Sequence, residues 1–128
     1  MNSGPALVSI LRQGDTLVAS VHTALDDSEM VRFQHDLVRQ IGEHRARGVI
    51  IDVAALDVID SFGSRTLRSI ADIARLRGAH TVIVGIQPEV AFAMVRLGMG
   101  MGEVATALDL EEGLAYLSRL RKGGVSGG

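Results

Sequence analysis

The chain has 128 residues and 13.6 kDa, with 13 basic against 15 acidic side chains for a formal charge of −2, and is 47% hydrophobic but only 3% aromatic. A domain of this length buries a core without metal or disulfide staples, and the lack of Cys excludes disulfides, thiolate metal sites and a cysteine nucleophile. Three Phe, one Tyr, no Trp and a pI near 6.0 argue against a base-stacking platform and against the concentrated basic surface of a nucleic-acid binder.

The opening residues 1–5 lack the basic and apolar regions of a signal peptide, and no apolar run approaches the roughly 18 residues that span a membrane. A soluble, cytoplasmic protein with no membrane partner is the expectation. Residues 6–13 and 16–22 read as two strands joined at Gly14-Asp15, a hairpin. Asp26 with Glu29 is a helix-start signal, and Met30, Phe33, Leu37 and Ile41 then recur at helical spacing, predicting about five turns that close by Gly48.

Residues 49–53 form a short, almost continuous apolar run, the pattern of a strand buried on both faces, and residues 81–84 repeat it. Between them, residues 62–77 carry helical periodicity that stops at Gly78, so strand, helix and strand make a parallel crossover unit. Pro88 sits where a helix's first turn belongs and residues 90–97 follow it; a short strand at 104–107 comes next; Asp109 with Glu112 then starts a last helix. The order β-β-α-β-α-β-α-β-α predicts an α/β fold with a mixed, mostly parallel sheet covered by helices. One domain over residues 1–122 is expected, with 123–128 as a flexible Gly-rich tail.

Chemistry is most legible in residues 49–64. Ser61 falls after a buried strand and a loop and just before a helix, where a serine ordinarily caps, for about 1 kcal/mol. The same placement puts its hydroxyl beyond the carboxyl end of the sheet, beside free N–H groups that would accommodate a phosphoryl group. From Ser61, Arg65, Arg68, Asp72 and Arg75 follow at steps of four, three, four and three along one helix face. A solvated face with an Arg68 to Asp72 pair is the bland reading; an Arg-rich interaction surface headed by a phosphoacceptor is the sharper one, and Arg65 is placed to pair with the phosphate. Ser64 and Thr66 are hydroxyls near the same end and rank lower.

Ile59-Asp60-Ser61-Phe62-Gly63 behind this strand, Gly78-Ala79 before the next and Gly85-Ile86-Gln87-Pro88 after it together resemble the STAS-domain family of anti-sigma-factor antagonists, most closely its stressosome antagonists of the RsbS type. The resemblance covers residues 5–122. It implies that Ser61 is the phosphoacceptor of a serine kinase of the GHKL type. It further implies that the unphosphorylated antagonist sequesters an RsbT-type switch kinase on a large self-associated assembly built with RsbR-type co-antagonists, and that phosphorylation releases the kinase. RsbR-type proteins carry an extra N-terminal sensory domain, for which 128 residues leave no room, and tend to use threonine acceptors; the matching position before Gly85 is Val84. Asp60, Ser61, Phe62, Gly63, Ser64, Arg65, Arg68 and Gln87 are the expected partner-contacting residues.

Other chemistry is poorly supplied. His22, His35, His44 and His80 are scattered without ligand spacing, and residues 98–102 match a phosphate loop only in glycine content, since they follow a helix and precede a strand. Asp52, Asp57 and Asp60 have no second group set beside them for acid–base work; Asp60 is read as orienting the Ser61 loop or the incoming kinase, and Asp52, on a buried strand, needs a hydrogen-bonded partner. A non-enzymatic switch without cofactor or metal is therefore the expectation. The alternatives are a sporulation-type antagonist that binds an anti-sigma kinase directly, and a small-ligand-binding α/β domain that uses the carboxyl end of its sheet.

Overall fold

The computed structural model describes residues 6–97 and 104–126. Five strands, β1 (Val8–Gln13), β2 (Thr16–Val21), β3 (Gly48–Asp52), β4 (His80–Val84) and β5 (Ala105–Ala107), alternate after the first hairpin with α1 (Asp27–His44), α2 (Ser61–Leu76), α3 (Pro88–Arg96) and α4 (Leu110–Ser126). The sheet order is β1-β2-β3-β4-β5; β1 pairs antiparallel with β2, and every other pairing is parallel. This is the mixed sheet read from the sequence.

The apolar runs are buried on both faces as their composition requires. On β3, Val49 and Ile51 join Leu17, Ala19 and Ile83 beneath Phe33, Leu37 and Ile41 of α1 and Leu67, Ile70 and Ala74 of α2. Ile50 points the other way, with Val18, Val82 and Val84, toward Leu117 of α4. Close approach of α4 depends on two glycines: a Cβ at Gly113 would lie 2.9 Å from Val84 Cγ1, and one at Gly48 would lie 2.9 Å from Leu117 Cδ1.

Boundaries moved in three places. α1 stops at His44, because Arg45 adopts the left-handed conformation (φ 50°) as its C-cap and Gly48 opens β3. α2 starts one residue early, at Ser61. α4 continues through Gly123 and Gly124 to Ser126, where a tail is expected from glycine's cost of about 1 kcal/mol per helical position. A helix already nucleated on the sheet by Leu114, Leu117 and Leu120 propagates its hydrogen bonds past such positions. The glycine-rich stretch 98–102 lies outside the described residues.

The orientation of the elements defines two poles. Strands β2, β3 and β4 begin in register at Thr16, Gly48 and His80, so the hairpin turn and the C-termini of α1 and α2 gather at the amino pole. The N-termini of α1 and α2, and the loops that follow β2, β3 and β4, gather at the carboxyl pole.

Candidate functional site at the carboxyl pole of the sheet

Ser61 is the first residue of α2, and the residue that caps the helix is Asp60. Asp60, in extended conformation, accepts the Gly63 amide on Oδ1 at 2.8 Å, while its carbonyl accepts the Ser64 amide at 3.0 Å. The capping role expected of Ser61 is thus taken by the carboxylate next to it. Its own hydroxyl makes no hydrogen bond among the described residues, and the residue is half-exposed.

Gly63 fits this geometry closely. A Cβ there would stand 3.2 Å from Asp60 Oδ1 and 3.1 Å from Ile59 Cγ1, so any side chain would push against the cap. Gly63 and Ser64, both expected among the partner-contacting residues, are buried in the folded domain, Ser64 completely. Ser64 Oγ is buried without a partner among the described residues. Thr66, also buried, turns its hydroxyl back to donate to the Phe62 carbonyl at 2.8 Å. Phe62 is half-buried against the α1/α2 side of the core.

The second motif is fastened to the first. Gln87 Nε2 donates to the Ala54 carbonyl at 2.6 Å, and Gly85, at φ 79°, lets the chain pass so close that an added Cβ would lie 2.8 Å from that of Ala54. The Val53 amide donates to the Val84 carbonyl at 3.0 Å, and Asp52 finds the partner it needs in the Ala54 amide at 2.9 Å. Gln87 therefore acts from within, holding the loop that leads to Ser61; the sequence carries no local signal of a contact 33 residues apart.

Arg65 and Arg68 are exposed on α2, and Asp72 pairs with Arg75 at 3.7 Å on the same helix. Behind Asp60 lies an apolar slot of about 120 Å³, lined by Val21, Leu25, Met30, Val53, Leu56 and Leu67 among others, with Val58 exposed at its rim. It is smaller than the roughly 300–1,000 Å³ of ordinary small-molecule sites. At the opposite pole an open recess of about 900 Å³ separates the hairpin turn from α4, bridged by Arg121 Nη1 to Asp15 Oδ1 at 2.9 Å.

The histidines are as dispersed as their spacing suggests: His22 bonds Ser9 Oγ at 2.8 Å, and His44 Nδ1 takes Arg12 Nη1 at 3.0 Å. Among the described residues no three His, Asp or Glu side chains are grouped as metal ligands, and no helix is long and apolar enough to cross a membrane.

The family model for the STAS domain matches residues 8–112, and RsbS from Moorella thermoacetica, in a form with a serine-to-glutamate substitution, superposes with a TM-score of 0.81 at 35% identity, over 91% of this chain and 99% of that one. The chain belongs to the STAS-domain family. A chain from the molecular architecture of the stressosome, described there as a signal integration and transduction hub, aligns to this STAS domain at 32% identity with a TM-score of 0.74, over 88% of this chain and 98% of that one. Among curated relatives, the RsbT co-antagonist protein RsbRA of Bacillus subtilis is 29% identical over 90 residues, 70% of this chain and 33% of that protein. This STAS domain thus spans about a third of the length of such relatives, and it falls in the stressosome branch of the anti-sigma-factor antagonists, akin to RsbS and RsbR.

Proposed function

We propose that this STAS domain is a phosphorylation-switched antagonist that sequesters an RsbT-type serine kinase while Ser61 is unmodified and releases it once Ser61 is phosphorylated. The observation that carries the reading is the uncommitted hydroxyl at the first position of α2, set free by the Asp60 cap. In the transfer, Ser61 Oγ bonds to the γ-phosphorus of ATP, the bond from that phosphorus to the β–γ bridging oxygen breaks, ADP leaves, and the serine proton passes to a base on the kinase. The domain supplies the acceptor and its orientation; the catalytic groups belong to the partner.

Release follows from charge. The new group adds about −1.5 to −2 at pH 7. It lands beside the Asp60 carboxylate and one helical turn from Arg65, on a surface whose exposed Arg65 and Arg68 suit an acidic partner. Every 1.4 kcal/mol of repulsion and desolvation weakens the complex about tenfold. The domain acts in the bacterial cytoplasm within a larger assembly that includes RsbR-type co-antagonists, and has no catalytic activity of its own. Likeness to the stressosome chain and to the co-antagonists supports this setting.

The test is intact-mass measurement and peptide mapping after incubation with an RsbT-type kinase and ATP, native chain against Ser61→Ala. One phosphate on the native chain and none on the variant is expected. A phosphate that persists on Ser61→Ala overturns the acceptor, and a Ser61→Asp variant that holds the kinase as tightly as the native chain overturns the release.

A further inference from the structure

β1 is an edge strand, and its outer side is open. The Leu7 carbonyl accepts the His22 amide at 2.9 Å, which makes Leu7 and His22 a hydrogen-bonded pair. The register then alternates without a bulge as far as Gln13 and Thr16. Ser9, Leu11 and Gln13 therefore turn their N–H and C=O groups toward β2, whereas Val8, Ile10 and Arg12 turn theirs away from it. Among the described residues no strand pairs with that side. Proteins ordinarily blunt an edge with a short strand, a proline or a bulge. The opposite edge, β5, is three residues long, but β1 has six and carries neither proline nor bulge.

The side chains of the same three residues turn toward α1. Val8 and Ile10 pack on the α1/α2 side of the core, and Arg12 reaches His44, the last residue of α1, at 3.0 Å. Between strand and helix runs a recess of about 360 Å³, with Val8, Ile10 and the buried Phe33 as its floor and Glu29, Arg32 and Asp36 at its rim. That volume lies within the roughly 300–1,000 Å³ of ordinary binding sites. Glu29 is held in the capping box and Asp36 pairs with Arg39 at 3.5 Å, so with Arg32 between them the rim carries both signs of charge and favours neither an acidic nor a basic guest. On the other face of the strand Leu11 is 67% exposed.

We propose that β1 receives an extended, uncharged segment of another protein, which joins the five-stranded sheet as a further antiparallel strand and places one aliphatic side chain in the recess beside α1. Outward N–H and C=O groups at every second residue of a strand are the complement of a polypeptide backbone, and that identifies the occupant. In the antiparallel sense the residue that exchanges both hydrogen bonds with Ile10 stands directly opposite it and shares its face, over the recess. The residues on either side of it point to the other face, along Leu11. Backbone pairing supplies the affinity and the recess supplies the choice of side chain. The contact goes beyond the kinase switch and holds whether or not Ser61 is an acceptor.

Amide hydrogen exchange of the full native chain, read by NMR, tests it with the peptide acetyl-Lys-Thr-Ile-Thr-Leu-Thr-Ile-Thr-Lys-amide, N-methylated on its two central threonines so that it cannot stack on itself. Its leucine is set opposite Ile10, and its end lysines lie beyond β1. With the peptide bound, the amides of Val8, Ile10 and Arg12 are expected to exchange at least about tenfold more slowly, and those of β5 to keep their rates. Two control peptides separate the components: one carries a further N-methyl group on its leucine, which removes the donor to the Ile10 carbonyl, and the other has threonine in place of leucine. Each is expected to bind at least about tenfold more weakly. No slowing at about 1 mM peptide overturns the proposal, as does equal binding by either control or slowing confined to β5. Slowing at Ile10 that grows with protein concentration in the absence of peptide gives the edge to a second copy and overturns it equally.

Discussion

Asp60 and Gly63 are joined by a 2.8 Å hydrogen bond that closes the start of α2 without help from the serine between them. The two roles that a sequence Asp60-Ser61 leaves entangled, capping and accepting, are thereby assigned to different side chains. Asp60→Ala is expected to cost about 1 kcal/mol, within the 0.5–2 range of lost caps, while Ser61→Ala stays within about 0.5 kcal/mol of native. Urea denaturation of both variants measures the difference, and equal losses would return the cap to Ser61.

Gly85 meets two separate demands, a positive φ of 79° and a close approach in which an added Cβ would stand 2.8 Å from the Cβ of Ala54 and 3.1 Å from its backbone. Gly14 meets only the first, at φ 64° with open space around it. Gly14→Ala is therefore expected to cost about 1 kcal/mol, from the left-handed conformation alone. Gly85→Ala adds overpacking of about 1–3 kcal/mol and loosens the Gln87 to Ala54 bond. Thermal melts of the pair separate strain from collision.

Ser64 Oγ is fully buried and has no partner among the described residues. A buried hydroxyl in that state carries its desolvation cost of about 1–3 kcal/mol with no return. Ser64→Ala is expected to raise stability, by about 1 kcal/mol, and to leave phosphorylation of the chain unchanged. A loss of stability on the same substitution would reveal a partner for that hydroxyl.

The Glu29 amide, and after it the Ser28 hydroxyl, hold the Asp26 carboxyl below its ordinary range. A folded-state pKa below the unfolded value means that folding favours the carboxylate, so its contribution is present above about pH 4 and is lost as pH falls through the lowered value. Asp26→Asn is expected to flatten the acid limb of the stability profile below pH 4 and leave the limb near neutrality parallel to native. Denaturant midpoints across pH 2–6 check this; an acid limb of native steepness in the variant would place the coupling elsewhere.

Much of the architecture was legible because its signals are local. Asp26 with Glu29 forms the reciprocal capping box that the spacing predicts, and Asp109 accepts the Glu112 amide at 2.9 Å as its own spacing suggests. The two apolar runs became parallel neighbours, buried on both faces. Less legible were matters of a single residue or of distant contact. Asp60 and Ser61 both cap helices well, and only the placement of the Gly63 amide decides between them. Ser64 reads as a hydroxyl near a helix end, yet it shares the buried side of α2 with Gly63, Leu67 and Ala71. The Gln87 contact with Ala54 has no sequence signature, since it exists only once two loops from neighbouring strands are brought together.

The order of strands in the sheet is the order of strands in the chain. During synthesis each strand therefore emerges beside a neighbour that is already available for pairing, and growth proceeds from one edge to the other without threading back. The loop that bears Ser61 precedes its clamp in the chain, because Gln87 follows the serine by 26 residues and comes only after α2 and β4. The fixed presentation of the serine therefore depends on β4 and the loop after it, and a chain in which that part of the sheet is unformed holds Ser61 in an untethered loop.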